Sequence, residues 1–293
     1  MGYNNDMDKK QYLDTKLKEF GIKLSDEKLS SLIAYHEMLT EKNKVMNLTA
    51  ITDFDQVCIK HFLDSLAINR LAGFKCLIDD TVMDIMPGKS LAPDKEDTCS
   101  ALPDITDLID VGCGAGFPGL PIAIAYPDIH VTLLDSLNKR VGFLNEVTDR
   151  LNLKNVTAIH ARAEDLARSP EHREKYDVAV SRAVANLATL SEYCLPFVRE
   201  GGFFVAYKSS RILQEGPAAQ RAISILGGEK KALEEYSLPG SESAALQATD
   251  GFSKDQPGKN SSDNYRCLYI VSKVRKTPPK YPRKAGLPSK EPL

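Results

Sequence analysis

The 293-residue sequence predicts an α/β fold: a doubly wound, mostly parallel sheet preceded by a small helical region. Three observations predict it. From residue 108 onward, short apolar runs take turns with helix-length segments, the pattern of strands joined by crossover helices. A glycine-rich run from Gly112 to Gly119 follows the first of these strands, where the backbone can bend sharply and a ligand can approach closely. Before residue 79 the apolar spacing is instead that of amphipathic helices.

The helical region is expected over residues 1–78. Ser25 reads as an N-cap with Asp26 and Glu27 in the first turn, and Leu29, Leu32, Ile33, His36 and Leu39 then share one face. A second segment continues the period through Phe54, Val57, Cys58, His61, Phe62 and Leu66. Residues 79–107 break it, with Pro87, Pro93 and Pro103 among charged and small residues, and read as a flexible acidic insertion. The α/β domain is expected over 108–274, with strands at 108–111, 130–134, 157–160, 178–181, 203–207 and 267–274. Helices are expected between them, among others at 118–125, 137–151 and 187–198. The acidic, serine-bearing stretch 241–263 reads as a loop insertion before the last strand, which is expected to be an antiparallel edge strand. Residues 275–293 form a basic tail whose interleaved prolines exclude a regular helix.

Composition narrows the function classes. Hydrophobic content of 42% and charged content of 27% are ordinary for a globular domain. No apolar run is long enough for a transmembrane helix, and the polar N-terminus has no signal-peptide pattern. The six cysteines are scattered without a Cys-x-x-Cys pair, so neither a disulfide framework nor a metal site is expected. A cytoplasmic monomer without membrane contact is the expectation. The net charge of -2 hides a segregation of charge. The two acidic stretches carry -6 and -2, leaving the rest of the chain basic, which is compatible with a polyanionic partner.

The run Asp110-Val111-Gly112-Cys113-Gly114-Ala115-Gly116-Phe117-Pro118-Gly119 reads as strand, tight turn and helix start. Pro118 suits the first turn of the helix, whose free N–H groups make a polar site. Two cofactor classes fit. Gly114, Gly116 and Gly119 match a dinucleotide-binding register. Asp110 ahead of the turn instead suits a cofactor with a cationic amino acid moiety. Asp135, ending the second strand, is placed to accept ribose hydroxyls in either class.

Further segments carry a more specific resemblance. They are Asn47-Leu48-Thr49-Ala50-Ile51, His61-Phe62-Leu63-Asp64-Ser65-Leu66 and Asp135-Ser136-Leu137-Asn138-Lys139-Arg140, then Arg162-Ala163-Glu164, Ser181-Arg182-Ala183-Val184 and the closing Pro278 to Gly286. Together with the glycine turn they resemble the bacterial small-subunit (16S) ribosomal RNA guanine-N7 methyltransferases, also called the glucose-inhibited division protein B family, over roughly 25–78, 107–240 and 264–293. The resemblance implies a class I, Rossmann-like methyltransferase fold, S-adenosyl-L-methionine as cofactor and a guanine in the decoding-site loop as target. It implies that Gly112, Gly114 and Phe117 belong to the cofactor loop, that Ala163 and Glu164 contact the adenine edge, and that Arg182 lines the cofactor and target pocket. The insertions at 79–107 and 241–263 depart from the family's shorter links. Two competing readings stay open: a nicotinamide-dependent oxidoreductase, and a cofactor-binding RNA-associated assembly factor without catalysis.

Guanine N7 carries a free lone pair, so no general base is expected, and alignment is the main demand on the protein. Arg182 reads either as a strand-end ion-pair partner or as the group that positions the target. His61 and Asp64 share a helix face and read as packing or RNA-facing residues rather than a metal pair. Lys139, Arg140, Lys208, Lys280, Arg283 and Lys284 are the candidates for RNA phosphate contacts. The tail reads equally as a phosphate-tracking arm and as a solvated end.

Overall fold

The computed structural model describes residues 6–71, 74, 105–239 and 265–293. The insertion expected at 241–263 lies outside these residues, as does that at 79–107 apart from its last three positions. Two helices open the chain, α1 (Asp6–Glu19) and α2 (Asp26–Met46). The face expected on α2 is the buried one: Leu29, Leu32, Ile33, His36 and Leu39 all turn inward. Ser25 caps the helix by accepting the Lys28 N–H at 3.4 Å. The second segment is a broken spiral rather than one α-helix. It runs through α3 (Phe54–Val57), a π-helical turn over Cys58–Leu63, α4 (Asp64–Leu66) and a 3-10 turn over Ala67–Arg70. The wider π turn, a form often found at functional sites, carries His61.

The sheet has strands β1 (Asp107–Val111), β2 (His130–Asp135), β3 (Val156–His160), β4 (Tyr176–Arg182), β5 (Val198–Lys208), β6 (Gly228–Ser237) and β7 (Tyr265–Lys273), in spatial order β3-β2-β1-β4-β5-β7-β6. The first five are parallel, and β7 runs antiparallel beside β5 as expected of the last strand. Sequence reading missed β6, which pairs outside β7 and is the true outer strand. Its residues Glu229, Lys230, Lys231, Glu234 and Glu235 explain the omission. An edge strand with a solvated face tolerates charge and shows no apolar run.

Helices cover both faces. On one side lie α1, α2, α5 (Gly119–Ala125) and α6 (Asn138–Arg150); on the other lie α8 (Leu187–Cys194) and α9 (Ile212–Ile225). Strand β1 feeds both layers, Leu108 into the first and Ile109 and Val111 into the second, by the two-residue alternation of a strand. The order reverses between β1 and β4, so the crevice at their carboxyl ends is where an open α/β sheet receives its ligand.

The basic tail is neither a free arm nor a solvated end. It packs along α8 and the end of β7 and closes with the single turn α10 (Leu287–Lys290). Tyr281 and Thr277 are buried. Arg173 ties the segment down from within the domain, donating to the carbonyls of Tyr281 at 2.9 Å and Thr277 at 2.8 Å. Hydrogen bonds from a charged donor contribute about 1.5–3 kcal/mol each, and buried carbonyls left unpaired are costly. Arg173→Ala is therefore expected to destabilise the chain by about 3 kcal/mol, lowering Tm by roughly 6–10 °C. A thermal melt within 2 °C (about 1 kcal/mol) of the parent would refute this anchoring.

Candidate functional site

The crevice is built on the glycine turn after β1. Gly112, Gly114 and Gly116 all take positive φ (75°, 61° and 107°), which L residues adopt only with strain. Space is also short there. A Cβ on Gly116 would lie 2.4 Å from Leu120 Cδ1 and 2.9 Å from the Tyr35 hydroxyl. That hydroxyl donates to the Ala115 carbonyl at 2.6 Å, so α2 holds the turn from outside.

Two carboxylates order the turn. Asp110 is fully buried, and its Oδ2 accepts the Gly119 N–H at 2.7 Å. Its Oδ1 is buried without a partner. Burial pushes this carboxyl up to about 7, against the opposing pull of the Gly119 N–H and the Arg182 charge. Asp135, at the end of β2, accepts Gly114 N–H through Oδ2 and Leu137 N–H through Oδ1, both at 2.9 Å, and meets Arg140 at 3.4 Å. A carboxylate has about four acceptor positions, so capacity remains for ribose hydroxyls.

Phe117 is the hub between the turn and the helical region. Its ring stacks on His61 with centroids 4.6 Å apart, meets Tyr35 at 5.3 Å, and lies under the Arg182 guanidinium at 5.2 Å. His61 Nδ1 lies 3.1 Å from the Lys60 carbonyl, which can only accept, so the proton sits there and Nε2 accepts from Thr49 Oγ1 at 3.0 Å. Burial, with the Arg182 charge, pushes His61 down to about 4, so it is a neutral face.

Arg182, at the end of β4, donates to Asp64 Oδ2 at 2.7 Å and to the Lys60 carbonyl at 3.3 Å. Asp64 is 4% exposed, and its Oδ1 accepts the Tyr236 hydroxyl at 2.7 Å. The two sequence readings of Arg182 thus merge: it is an ion-pair partner and it faces the crevice. Ala183 follows in the left-handed region at φ 59°, and Val184 covers the turn, where a Cβ on Gly112 would meet it at 2.7 Å.

Of the predicted residues, Gly112, Gly114, Phe117, Asp135, Ala163, Glu164 and Arg182 all lie at the carboxyl edge of the sheet, Ala163 and Glu164 on the short α7 (Ala163–Leu166) after β3. Lys139 and Arg140 begin α6 beside Asp135, and Lys139 is exposed. Lys280 and Lys284 are exposed on the tail. Two expected phosphate ligands are otherwise engaged. Lys208 is largely buried, donating to Glu215 at 2.7 Å and to the Ala185 carbonyl at 2.8 Å. Arg283 forks onto the fully buried Glu192, with Nη2 at 2.7 Å and Nε at 3.0 Å. Sequence reading assigned no site role to Tyr35 or Thr49, and placed Asp64 only by helical spacing and motif. The partners of Tyr35 and Asp64 stand 80 and 118 positions away, and Thr49 meets His61 across the break between two helical segments.

Among the described residues no three His, Cys, Asp or Glu side chains converge on a metal position, and no helix is long and apolar enough to cross a membrane. The family model for rRNA small subunit methyltransferase G (GidB) matches residues 95–243. A protein of Acetivibrio thermocellus named ribosomal RNA small subunit methyltransferase G is 42% identical over 94% of this chain and 92% of its own length. The chain belongs to the rRNA small subunit methyltransferase G family. Proteins of the same name from Lachnoclostridium phytofermentans and an Exiguobacterium species are 40% and 41% identical, covering 94% and 98% of this chain and 94% and 100% of their own. Membership in the methyltransferase G family removes the oxidoreductase reading. The fold is correspondingly the class I methyltransferase sheet, with β7 inserted antiparallel between β5 and β6.

Proposed function

We propose that this methyltransferase G chain transfers the methyl group of S-adenosyl-L-methionine to N7 of a guanine in the decoding-site loop of 16S ribosomal RNA, acting as a cytoplasmic monomer. One observation carries the cofactor choice beyond family membership. A buried, unpartnered carboxylate oxygen on Asp110 stands at the glycine turn, where it would repel a dinucleotide pyrophosphate and favour a cation. Gly112, Gly114 and Phe117 hold the cofactor's amino acid end, Asp135 its ribose, and Ala163 with Glu164 its adenine. The bound cofactor supplies an electrophilic sulfonium methyl group.

The chain's own task is alignment. N7 needs no deprotonation, which agrees with a crevice whose histidine is a weak base with Nε2 already accepting from Thr49. Arg182, held by Asp64, donates toward guanine O6 and leaves the N7 lone pair free, and the partly exposed His61 ring, backed by buried Phe117, offers a flat face for the base. Lys139 and Arg140 contact phosphate beside the crevice, with Lys280 and Lys284 on the tail.

Incubating undermethylated small subunits with methyl-labelled cofactor is expected to place label in 16S ribosomal RNA, and borohydride–aniline cleavage to map it to one guanine. Binding of cofactor and subunits without any label would leave the assembly-factor reading instead. For the phosphate contact, Lys139→Glu is expected to weaken RNA binding and to flatten the slope of log K against log salt by about 1. An unchanged slope would remove Lys139 from the interface.

A further inference from the structure

Within the closing motif Pro282-Arg283-Lys284-Ala285-Gly286 only Lys284 has a part in the function above, yet the motif's last residue ends against the cofactor site. Gly286 adopts φ 81°, which turns its N–H onto Glu164 Oε1 at 2.8 Å. Glu164 is 5% exposed, and this is the hydrogen bond that fixes its carboxylate. The two residues stand 122 positions apart.

The segment that delivers Gly286 is held at several independent points. Arg283 is forked onto buried Glu192, with its own backbone N–H also donating to Glu192 Oε1 at 2.7 Å. Arg168 donates to the Pro282 carbonyl at 2.6 Å, and Thr189 Oγ1 to the Pro288 carbonyl at 3.0 Å. Solubility or loose phosphate binding does not require such anchoring. It does suit a part that must place one N–H reproducibly.

We propose that the C-terminal segment 283–293 is a positioning element of the cofactor site: the Gly286 N–H holds the Glu164 carboxylate in the orientation that accepts the 6-amino group of adenine. The inference rests on the cofactor reading given above. An unrestrained glutamate has three side-chain torsions to order on binding, and a charge-assisted hydrogen bond from rigid backbone removes most of that freedom beforehand. The orientation also confers selectivity. An adenine 6-amino group donates to the carboxylate, whereas the 6-oxo group of a hypoxanthine base presents an acceptor and is repelled.

The test measures the ratio of dissociation constants for S-inosylhomocysteine and S-adenosylhomocysteine, by calorimetry on the full chain, on Glu164→Gln, on Arg283→Gln and on a chain ending at Ala285. The full chain is expected to prefer the adenosyl ligand by at least about tenfold. Glu164→Gln should bring the preference close to unity, since an amide can turn either group toward the base. Arg283→Gln and the shortened chain should lower the preference at least about fivefold while melting as folded proteins. A general loosening would weaken both ligands alike and leave the ratio in place. If Glu164→Gln abolishes the preference while folded Arg283→Gln retains it, the role of the tail is overturned. If Glu164→Gln itself changes nothing, Glu164 does not read adenine and the proposal falls at that step. If the full chain binds neither ligand, the cofactor reading fails first.

Discussion

Asp64→Ala is expected to lower the rate of methyl transfer about 100-fold while leaving the affinity for S-adenosylhomocysteine within a few-fold of the parent. Asp64 touches neither cofactor nor target in the proposed arrangement. It is a positioning residue that receives Arg182 Nη1 at 2.7 Å and the Tyr236 hydroxyl at 2.7 Å inside a buried pocket. The Arg182 and Asp64 side chains are 14% and 6% exposed, so the pair is shielded from solvent and its loss is not softened by water. Removing the carboxylate leaves the buried Tyr236 hydroxyl without its acceptor and Arg182 with only the longer contact to the Lys60 carbonyl at 3.3 Å, which costs about 3 kcal/mol and lowers Tm by roughly 6–10 °C. Misplacing an aligning group by about 1 Å is sufficient for a 100-fold loss in rate. Asp64→Asn separates the two effects. It retains an acceptor for Tyr236 and much of the stability, but loses the charge that fixes Arg182. A folded Asp64→Asn enzyme with kcat within about twofold of the parent would remove Asp64 from the alignment of Arg182.

The second large effect concerns Asp110 and pH. Burial raises its carboxyl to about 7 in the folded chain, and the Asp135 charge adds to the rise while the Gly119 N–H and Arg182 oppose it. The unfolded chain releases this proton near the ordinary value of about 3.9. Between those values the folded state holds a proton that the unfolded state has lost. The stability contribution is thus fully present below about 4 and is lost as pH rises toward 7, by linkage a loss of up to about 4 kcal/mol. Cofactor binding runs the opposite way. A cationic ligand beside Asp110 Oδ1 favours the ionised form, so affinity should rise with pH by up to about tenfold per unit below 7 and level off above it. Calorimetry in buffers of different ionisation enthalpy should detect proton release on binding at pH 6. Asp110→Asn should bind about 30–100-fold more weakly above pH 7, with a flat pH profile. A pH-independent affinity in the parent chain would remove Asp110 from contact with the cofactor's cationic end.

Both effects turn on contacts that differ in how legible they are in the sequence. The order of strands and helices around the glycine turn is local physics. A buried parallel strand is an apolar run, a sharp turn needs residues free to take positive φ, and an amphipathic helix shows its period, as Leu29, Leu32, Ile33 and Leu39 do. Strand β6 escaped because an outer strand with charged side chains carries no such period. The role of Asp110 was half legible: its place before the turn marked it, but only packing shows that Oδ1 is buried without a partner.

By itself, then, the sequence determined the fold class and, through its separated motifs, the family, and it marked residues that the fold gathers at the ends of β1, β2, β3 and β4. Only the tertiary structure decided which charges are free. Lys208, Arg283 and Lys139 look alike along the chain, yet the first two are neutralised by Glu215 and Glu192 while Lys139 faces solvent. It likewise decided that Arg182 meets Asp64 across 118 positions and Glu164 meets Gly286 across 122. The physical reason is that periodicity records how much of each side chain is buried. Which partner satisfies a buried charge depends on where the whole topology brings distant segments together, and no local spacing encodes that.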